Sequence, residues 1–255
     1  MALMEPFCRR SKIDKFKRWL GYHFAYSNCN NKIWIFCDQI YGCTIIQDTE
    51  QQVTCTINAH GDSIIITAIY AKCKIYLREP LWDDLRHMAN NINIPWLRGG
   101  DFNCVLDASE KKGGNTHKMS KSMPPINCII DCSLIDPGYI GSTFTWCNGR
   151  GSTQRMWERL DRAFINYEWS QKFINTTITH LIRTSSDHSP LFITIENTQQ
   201  NHKKYFKFLN LWVNETGFLD VVKHAWNIDI EGSSLWRFHL KLKHTYKQLS
   251  WWSKN

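Results

Sequence analysis

Between Lys32 and Tyr70 the chain runs through four apolar, β-branched stretches parted by short turn-rich links, and this pattern constrains the fold most. The stretches are Lys32–Cys37, Cys43–Ile46, Val53–Ile57 and Ser63–Tyr70, with separators such as Asn58-Ala59-His60-Gly61-Asp62. Runs of this length, rich in Ile, Val, Thr and aromatics, are strand signals, and the short links predict an antiparallel meander. The period then changes. From Pro80 onward Leu81, Trp82, Leu85, Met88, Ala89 and Ile92 recur at helical spacing, with proline in the first turn. Residues Cys8 to Leu20 set Ile13, Phe16, Trp19 and Leu20 among Arg and Lys at helix-compatible spacing, and Met119 to Leu134 predicts another helix, interrupted by Pro124-Pro125. Further strands are expected at Pro95–Leu97, Ser142–Cys147, Met156–Asp161, Thr176–Ile182 and Leu191–Ile195. Strands interleaved with a few amphipathic helices predict an α/β chain with two sheets face to face and helices outside. The sequence shows no internal repeat and no low-complexity tract.

Composition narrows the class. A hydrophobic fraction of 43% with 12 Trp and 13 Phe in 255 residues supplies an ample core and excludes wholesale disorder. No stretch of 18 apolar residues is present, so no membrane span is expected, and Met1-Ala2-Leu3-Met4-Glu5 lacks the features of a signal peptide. The expectation is an intracellular protein. The ten cysteines contain no CxxC pair and are expected to be reduced, semi-buried apolar residues. Cys128 and Cys132 have no second pair with which to hold a structural zinc. A net charge of +8 points to a polyanionic partner. From His202 onward there are nine Lys/Arg against four Asp/Glu, so most of the surplus lies near the C-terminus. The polar stretch Asn197 to Asn201 marks a boundary. Beyond it Glu215–Trp226 and Leu235–Trp251 are expected to be helical, the latter with Leu235, Phe238, Leu242, Tyr246 and Leu249 on one apolar seam.

Two segments carry groups suited to chemistry. Pro95-Trp96-Leu97-Arg98 reads as a strand that breaks at Gly99-Gly100 into a tight turn, holding Asp101 and Asn103 at a strand end. Far downstream, Ser186-Asp187-His188-Ser189-Pro190 precedes the apolar run Leu191–Ile195. A carboxylate, an amide and an Asp-His pair at strand ends are the parts needed for metal-assisted phosphodiester cleavage. Each has a plainer reading: Asp101 and Asn103 as turn caps, His188 as a satisfied structural histidine, Asp161 as a surface ion pair, Tyr70 as a core aromatic. Glu5 follows Ala2-Leu3-Met4, which reads as the end of a buried strand stopped by Pro6.

Five segments occur in a telling order: Leu3-Met4-Glu5-Pro6, Ala68-Ile69-Tyr70-Ala71, Gly100-Asp101-Phe102-Asn103, Arg159-Leu160-Asp161-Arg162 and Ser186-Asp187-His188-Ser189-Pro190. Together they resemble the endonuclease/exonuclease/phosphatase superfamily, and specifically the endonuclease region of plant non-LTR (LINE-type) retrotransposons. Phe144-Thr145-Trp146 fits that family's aromatic loop, and Phe206–Trp212 is similar to the segment that follows its nuclease core. The resemblance implies a four-layer α/β sandwich of two packed mixed sheets flanked by helices, spanning residues 1–198. Residues 199–255 would then be a basic helical extension leading toward an absent reverse transcriptase. It implies that Glu5 is a metal ligand, that Asp187 contributes to the metal or water network, that Asp101 positions the attacking water and Asn103 orients it or the phosphate, and that His188 contacts the phosphate. Asp161 would hydrogen-bond His188, and Tyr70 would lie on the phosphate side. The oxygen-rich ligand set suits Mg²⁺ or Mn²⁺, with DNA as partner, the nucleus as location and no small-molecule cofactor. Phe144 and Trp146 are either core residues or aromatics pressed against DNA. Lys203, Lys204 and Lys207 alternate with Tyr205 and Phe206 in a pattern suited to phosphate contact and base stacking, or else belong to a solvated helical pair.

The pattern departs from the family in two places. Relatives begin with a strand carrying an asparagine in a Trp-Asn-x-Arg-Gly type segment, followed by a helix. Here Met1 falls on the third element, so about 30 residues are expected to be missing, leaving an open sheet edge and an uncovered apolar face. Cys73 also stands where many relatives place an asparagine. The expected function is a metal-dependent DNA endonuclease that nicks a target site. The alternatives are a catalytically inactive nucleic-acid-binding remnant and a phosphatase acting on a small phosphorylated molecule.

Overall fold

The computed structural model describes residues 1–59, 61–196, 210–232 and 234–253. It divides into two compact units, Met1–Asn197 and Thr198–Asn255. In the first unit the chain runs through β1 (Ala2–Met4), α1 (Ile13–Leu20), β2 (Phe24–Ser27), β3 (Ile33–Cys37), β4 (Thr44–Asp48), β5 (Gln52–Ala59) and β6 (Asp62–Tyr70). It continues through α2 (Glu79–Ala89), β7 (Trp96–Asp101), β8 (Lys111–Lys112), α3 (Met123–Asp131), β9 (Ile140–Gly141) and β10 (Trp146–Cys147). The last elements are β11 (Trp157–Glu158), β12 (Asp161–Ile165), α4 (Tyr167–Lys172), β13 (Asn175–His180) and β14 (Leu191–Glu196).

The central sheet has the order β12-β7-β6-β5-β4. Only β6 and β7 run parallel in it, because α2 supplies the crossover that parallel neighbours need. One face of this sheet presents Ile65, Ile69 and Trp96 to Leu81, Trp82, Leu85 and Met88 of α2 and to Cys128 of α3. The other face is covered in two pieces. Ile64, Leu97 and Ile165 meet Ile193 and Ile195 of the β14-β13-β9 sheet, while Val53 and Ala68 meet Ile33 and Ile35 of the β1-β3-β2 sheet. Beyond β3, Phe16 of α1 packs edge-on against Trp34 with ring centroids 5.7 Å apart. The molecule is therefore the expected mixed α/β sandwich of helix, sheet, sheet and helix. The layer facing the central sheet consists of two three-stranded sheets. A short third sheet, β10-β11-β8, is joined by a bridge between Trp146 and His188 to the segment that precedes β14.

Several local expectations are corrected. The run at Lys32–Cys37 does not join the meander; only β4, β5 and β6 form one, and β3 belongs to the facing layer. Phe24–Ser27, which carries no clear strand signal of its own, is the strand that pairs with β3 on its other side. Strand β7 does not break at Gly99-Gly100 but runs through both to Asp101. Gly100 holds φ +140, and a Cβ there would lie 2.1 Å from the Ile69 carbonyl oxygen, so the glycines admit a neighbouring strand instead of turning the chain. Pro124 and Pro125 do not interrupt α3; they sit in its first turn, where a missing N–H costs nothing. Strand β1 is not buried: Ala2 and Leu3 are exposed, and the strand pairs on one side only, with β3.

In the second unit α5 spans Phe218–Trp226, starting three residues later than expected, and α6 spans Ser234–Trp252. They meet through Phe218 and Trp252, ring centroids 5.9 Å apart, with Ala225 and Leu249 buried. Of the described side chains on the α6 seam, Leu249 is buried, whereas Phe238 and Leu242 are about half exposed.

Candidate active site

The centre of the site is built by strand register. Tyr70 ends β6, Asp101 ends β7 and Asp161 starts β12; Tyr70 and Asp161 are the ladder partners of Asp101 on its two sides. Three candidate side chains thus stand in one row across the central sheet. Phe102, buried against Phe164 and Trp82, anchors the chain just past Asp101. Asn103 adopts φ +50, a region asparagine tolerates. Its backbone N–H donates to Asp101 Oδ1 at 2.8 Å, and its amide donates to Asp101 Oδ2 at 2.9 Å and to the Ala71 carbonyl at 2.7 Å. Asn103 therefore orients the carboxylate of Asp101 and ties β7 to the segment after β6.

His188 closes the row from above. Its Nδ1 lies 2.8 Å from Asp161 Oδ2 and its Nε2 lies 3.9 Å from Asp101 Oδ2. The loop carrying it is pinned alongside β10: Cys147 N–H donates to Asp187 O, Ser189 N–H donates to Thr145 O at 2.7 Å, and the Trp146 indole donates to the Asp187 carboxylate at 3.0 Å. Thr145 Oγ1 accepts from the Leu160 and Asp161 amides, so one buried threonine aligns both halves of the Asp161–His188 pair.

Electrostatics set the protonation of this group. Burial, reinforced by the neighbouring charge of Asp161, pushes the Asp101 carboxyl up to about 7. Burial by itself would lower the His188 pKa; the hydrogen bond and charge of Asp161, with Asp101 and Asp187, outweigh it and raise the ring to about 9. His188 is thus an imidazolium at neutral pH. Burial and a hydrogen bond to Glu5 push the Tyr70 phenol up, so it remains a donor. Glu5, at φ +46 just past β1, also pairs with Lys32 at 3.1 Å. The ligand atoms of Asp101, Asp161 and His188 lie within 4.8 Å of one another, close enough to hold an ion.

The sequence candidates thus separate. Tyr70, Asp101, Asn103, Asp161 and His188 come together, with Glu5 bonded to Tyr70 at their edge. Asp187 is tied to Trp146 beside them. Phe144 and Trp146 are half-buried, Phe144 tilted against Trp157 at 6.5 Å. Lys203, Lys204 and Lys207 lie outside the described residues. Two further residues, Glu110 and Arg162, support the site without having been expected to. Buried Glu110 accepts from the Leu106 amide and from Arg159 and Arg162, and Arg162 also donates to Cys104 O, so the pair fixes the loop that follows Asn103. Arg162 at least stands within the Arg159–Arg162 motif, whereas the local sequence marks Glu110 only as the N3 glutamate of the Asp107–Glu110 capping box and not as a partner of distant arginines.

No family model and no curated protein matches this sequence. Solved structures do resemble it. The endonuclease domain of TRAS1, a telomere-specific non-LTR retrotransposon, aligns over 69% of this chain and 80% of its own with TM-score 0.53 and 18% identity. The 3′ phosphatase NExo from Neisseria, bound to product DNA hairpin, aligns over 76% of this chain and 88% of its own with TM-score 0.55 and 13% identity. The chain has the endonuclease/exonuclease/phosphatase-type fold. In the terms of that fold, the row of Tyr70, Asp101 and Asp161 lies where β6, β7 and β12 reach the same edge of the central sheet. Both of these neighbours with the endonuclease/exonuclease/phosphatase-type fold are DNA-processing enzymes by their descriptions.

Proposed function

We propose that this chain is a metal-dependent phosphodiesterase that cleaves DNA, of the kind carried by non-LTR retrotransposons. The observation that carries the reading is the Asp101–His188–Asp161 constellation, a buried carboxylate facing an imidazolium that a second carboxylate holds in place. The donor set fits a hard cation: Asp101 and Asp161 are buried beside one another, and burial with the charge of Asp161 makes ionisation of Asp101 costly without added positive charge. By the family resemblance Glu5 and Asp187 would serve Mg²⁺ or Mn²⁺, beside the Asp101, Asp161 and His188 cluster whose ligand atoms lie within 4.8 Å of one another. When bound, such an ion supplies polarisation of a phosphoryl oxygen.

The remaining roles belong to this chain's own groups. Asp101, with a pKa of about 7, is suited to take a proton from the attacking water. Asn103 keeps its carboxylate aimed. His188, charged and oriented by Asp161, neutralises a non-bridging phosphate oxygen as negative charge builds. Tyr70 keeps its phenol proton and is suited to donate a hydrogen bond to an oxygen at the centre. The basic composition, net +8, suits a nucleic-acid substrate.

The test is nicking of supercoiled plasmid by the purified chain with Mg²⁺ or Mn²⁺. Cleavage is expected, with loss on EDTA addition and in Asp101→Asn and His188→Ala. Cleavage that survives chelation, or either substitution, would overturn the reading.

A further inference from the structure

Between β1 and α1 the backbone is strained where it touches solvent. Glu5 and Phe7 both adopt φ +46, on either side of Pro6, and neither is glycine. The surroundings hold the strain in place. Glu5 N–H donates to Lys32 O at 2.9 Å, Asn31 Nδ2 donates to Cys8 O at 2.8 Å, and the Arg10 guanidinium donates to Asn28 O and Cys29 O. The result is an aromatic ring presented to water: Phe7 is 88% exposed. The same residues line a cleft of about 330 Å³ whose walls are Glu5, Phe7, Arg9, Asn30 and Lys32 among others, a size suited to a small planar ligand. Asn30 and Lys32 line both this cleft and the neighbouring one that holds Tyr70, so the cleft adjoins the candidate centre.

Charge continues the surface away from the cleft. Residues 9–18 hold six Arg or Lys and a single acid, Asp14. Lys12, Lys15 and Arg18 are exposed and recur at i, i+3 along the start and body of α1, so they share one face. A strained loop that holds a ring in water, next to a cationic row and a phosphate-type centre, matches the makeup of single-strand sites: stacking platform plus basic track.

We propose that Phe7 to Arg18 form a DNA-strand subsite. Phe7 stacks on an unpaired base adjacent to the scissile position, and Lys12, Lys15 and Arg18 follow the phosphates beyond it. The inference rests on reading the centre as a phosphodiesterase, and it assigns the strand's course to the N-terminal ledge of the first unit.

The test measures binding in EDTA, so that cleavage plays no part. The probe is a short single-stranded DNA carrying a fluorescent adenine analogue that is quenched by stacking. Wild type should quench it. Phe7→Ser should abolish the quench and weaken binding about 5- to 150-fold, the range of one base–aromatic stack, while Phe7→Trp should retain both. Replacing Lys12, Lys15 and Arg18 with Gln should lower the slope of log affinity on log salt by roughly 2, at about 0.7 per single-strand phosphate contact. Equal quench and affinity in wild type and Phe7→Ser would overturn the proposal even if plasmid nicking stands. Loss of self-association in Phe7→Ser with DNA binding unchanged would also overturn it, making the ring a contact between copies. Failure of nicking with a Phe7-dependent quench intact would instead sink the catalytic reading and leave the subsite.

Discussion

Asp101 is only 4% exposed and its carboxyl is held at about 7 against an ordinary 3.8. Between those two values the folded chain binds more protons than the unfolded one, so ionisation of Asp101 removes stability as pH rises through the window. Asp101→Asn is therefore expected to raise the melting temperature at pH 8, on the order of 5 °C, while cutting cleavage at least about 100-fold. A thermal melt and a nicking assay on the same preparation check both halves, and a variant that melts lower would show that the charge is already compensated. His188 shifts stability with pH in the same direction, although here the charged form is the one the fold favours. Its pKa rises from 6.5 to about 9 on folding, so its contribution is fully present below 6.5 and is lost as pH climbs through 9. Melts between pH 6 and 10 should fall across that interval in wild type and lose that component in His188→Gln. These two residues were legible in the sequence because they lie in short ordered motifs. The role of Asn103 was only half legible: its neighbourhood was readable, but its hydrogen bonds to Asp101 and Ala71 depend on β6 lying beside β7.

At the scale of elements, α2 and the meander β4-β5-β6 were readable because local period and packing agree there. Strand β7 misled because Gly99-Gly100 is ordinarily a turn signal, and only the closeness of the Ile69 carbonyl to Gly100 explains why a strand needs it. The loop after Asn103 was illegible for a different reason. Glu110 lies 49 and 52 residues from Arg159 and Arg162, and no local pattern announces a pairing at that distance. Arg162 is almost wholly buried, so removing its partner's charge leaves a cation in the interior. Glu110→Gln is expected to cost about 3–5 kcal/mol, measurable by urea unfolding. Cleavage should fall further than the folded fraction does, because the same pair holds the segment behind Asp101. A loss of less than about 1 kcal/mol would show that this loop is held by other interactions.

The whole molecule joins two units of different makeup, Met1–Asn197 and Thr198–Asn255, and the sequence places the larger cationic surplus in the second. If that surplus grips duplex, deleting residues 198–255 should flatten the salt dependence of duplex binding by about 0.9 for each phosphate that is no longer neutralised. An unchanged slope would assign duplex binding to the first unit. Fold class was readable from the alternation of strand and helix signals, whereas the division of the facing layer into two three-stranded sheets was not, since it depends on which edges meet. The row of Tyr70, Asp101 and Asp161 has a further consequence. Its pitch is the strand-to-strand spacing of about 4.8 Å, set by amide and carbonyl groups that every residue type shares. Such an interval works as a ruler indifferent to spelling. Loops around it can change their length with the graduation preserved, and a chain only 18% identical to the endonuclease domain of TRAS1 can share the fold that sets such an interval.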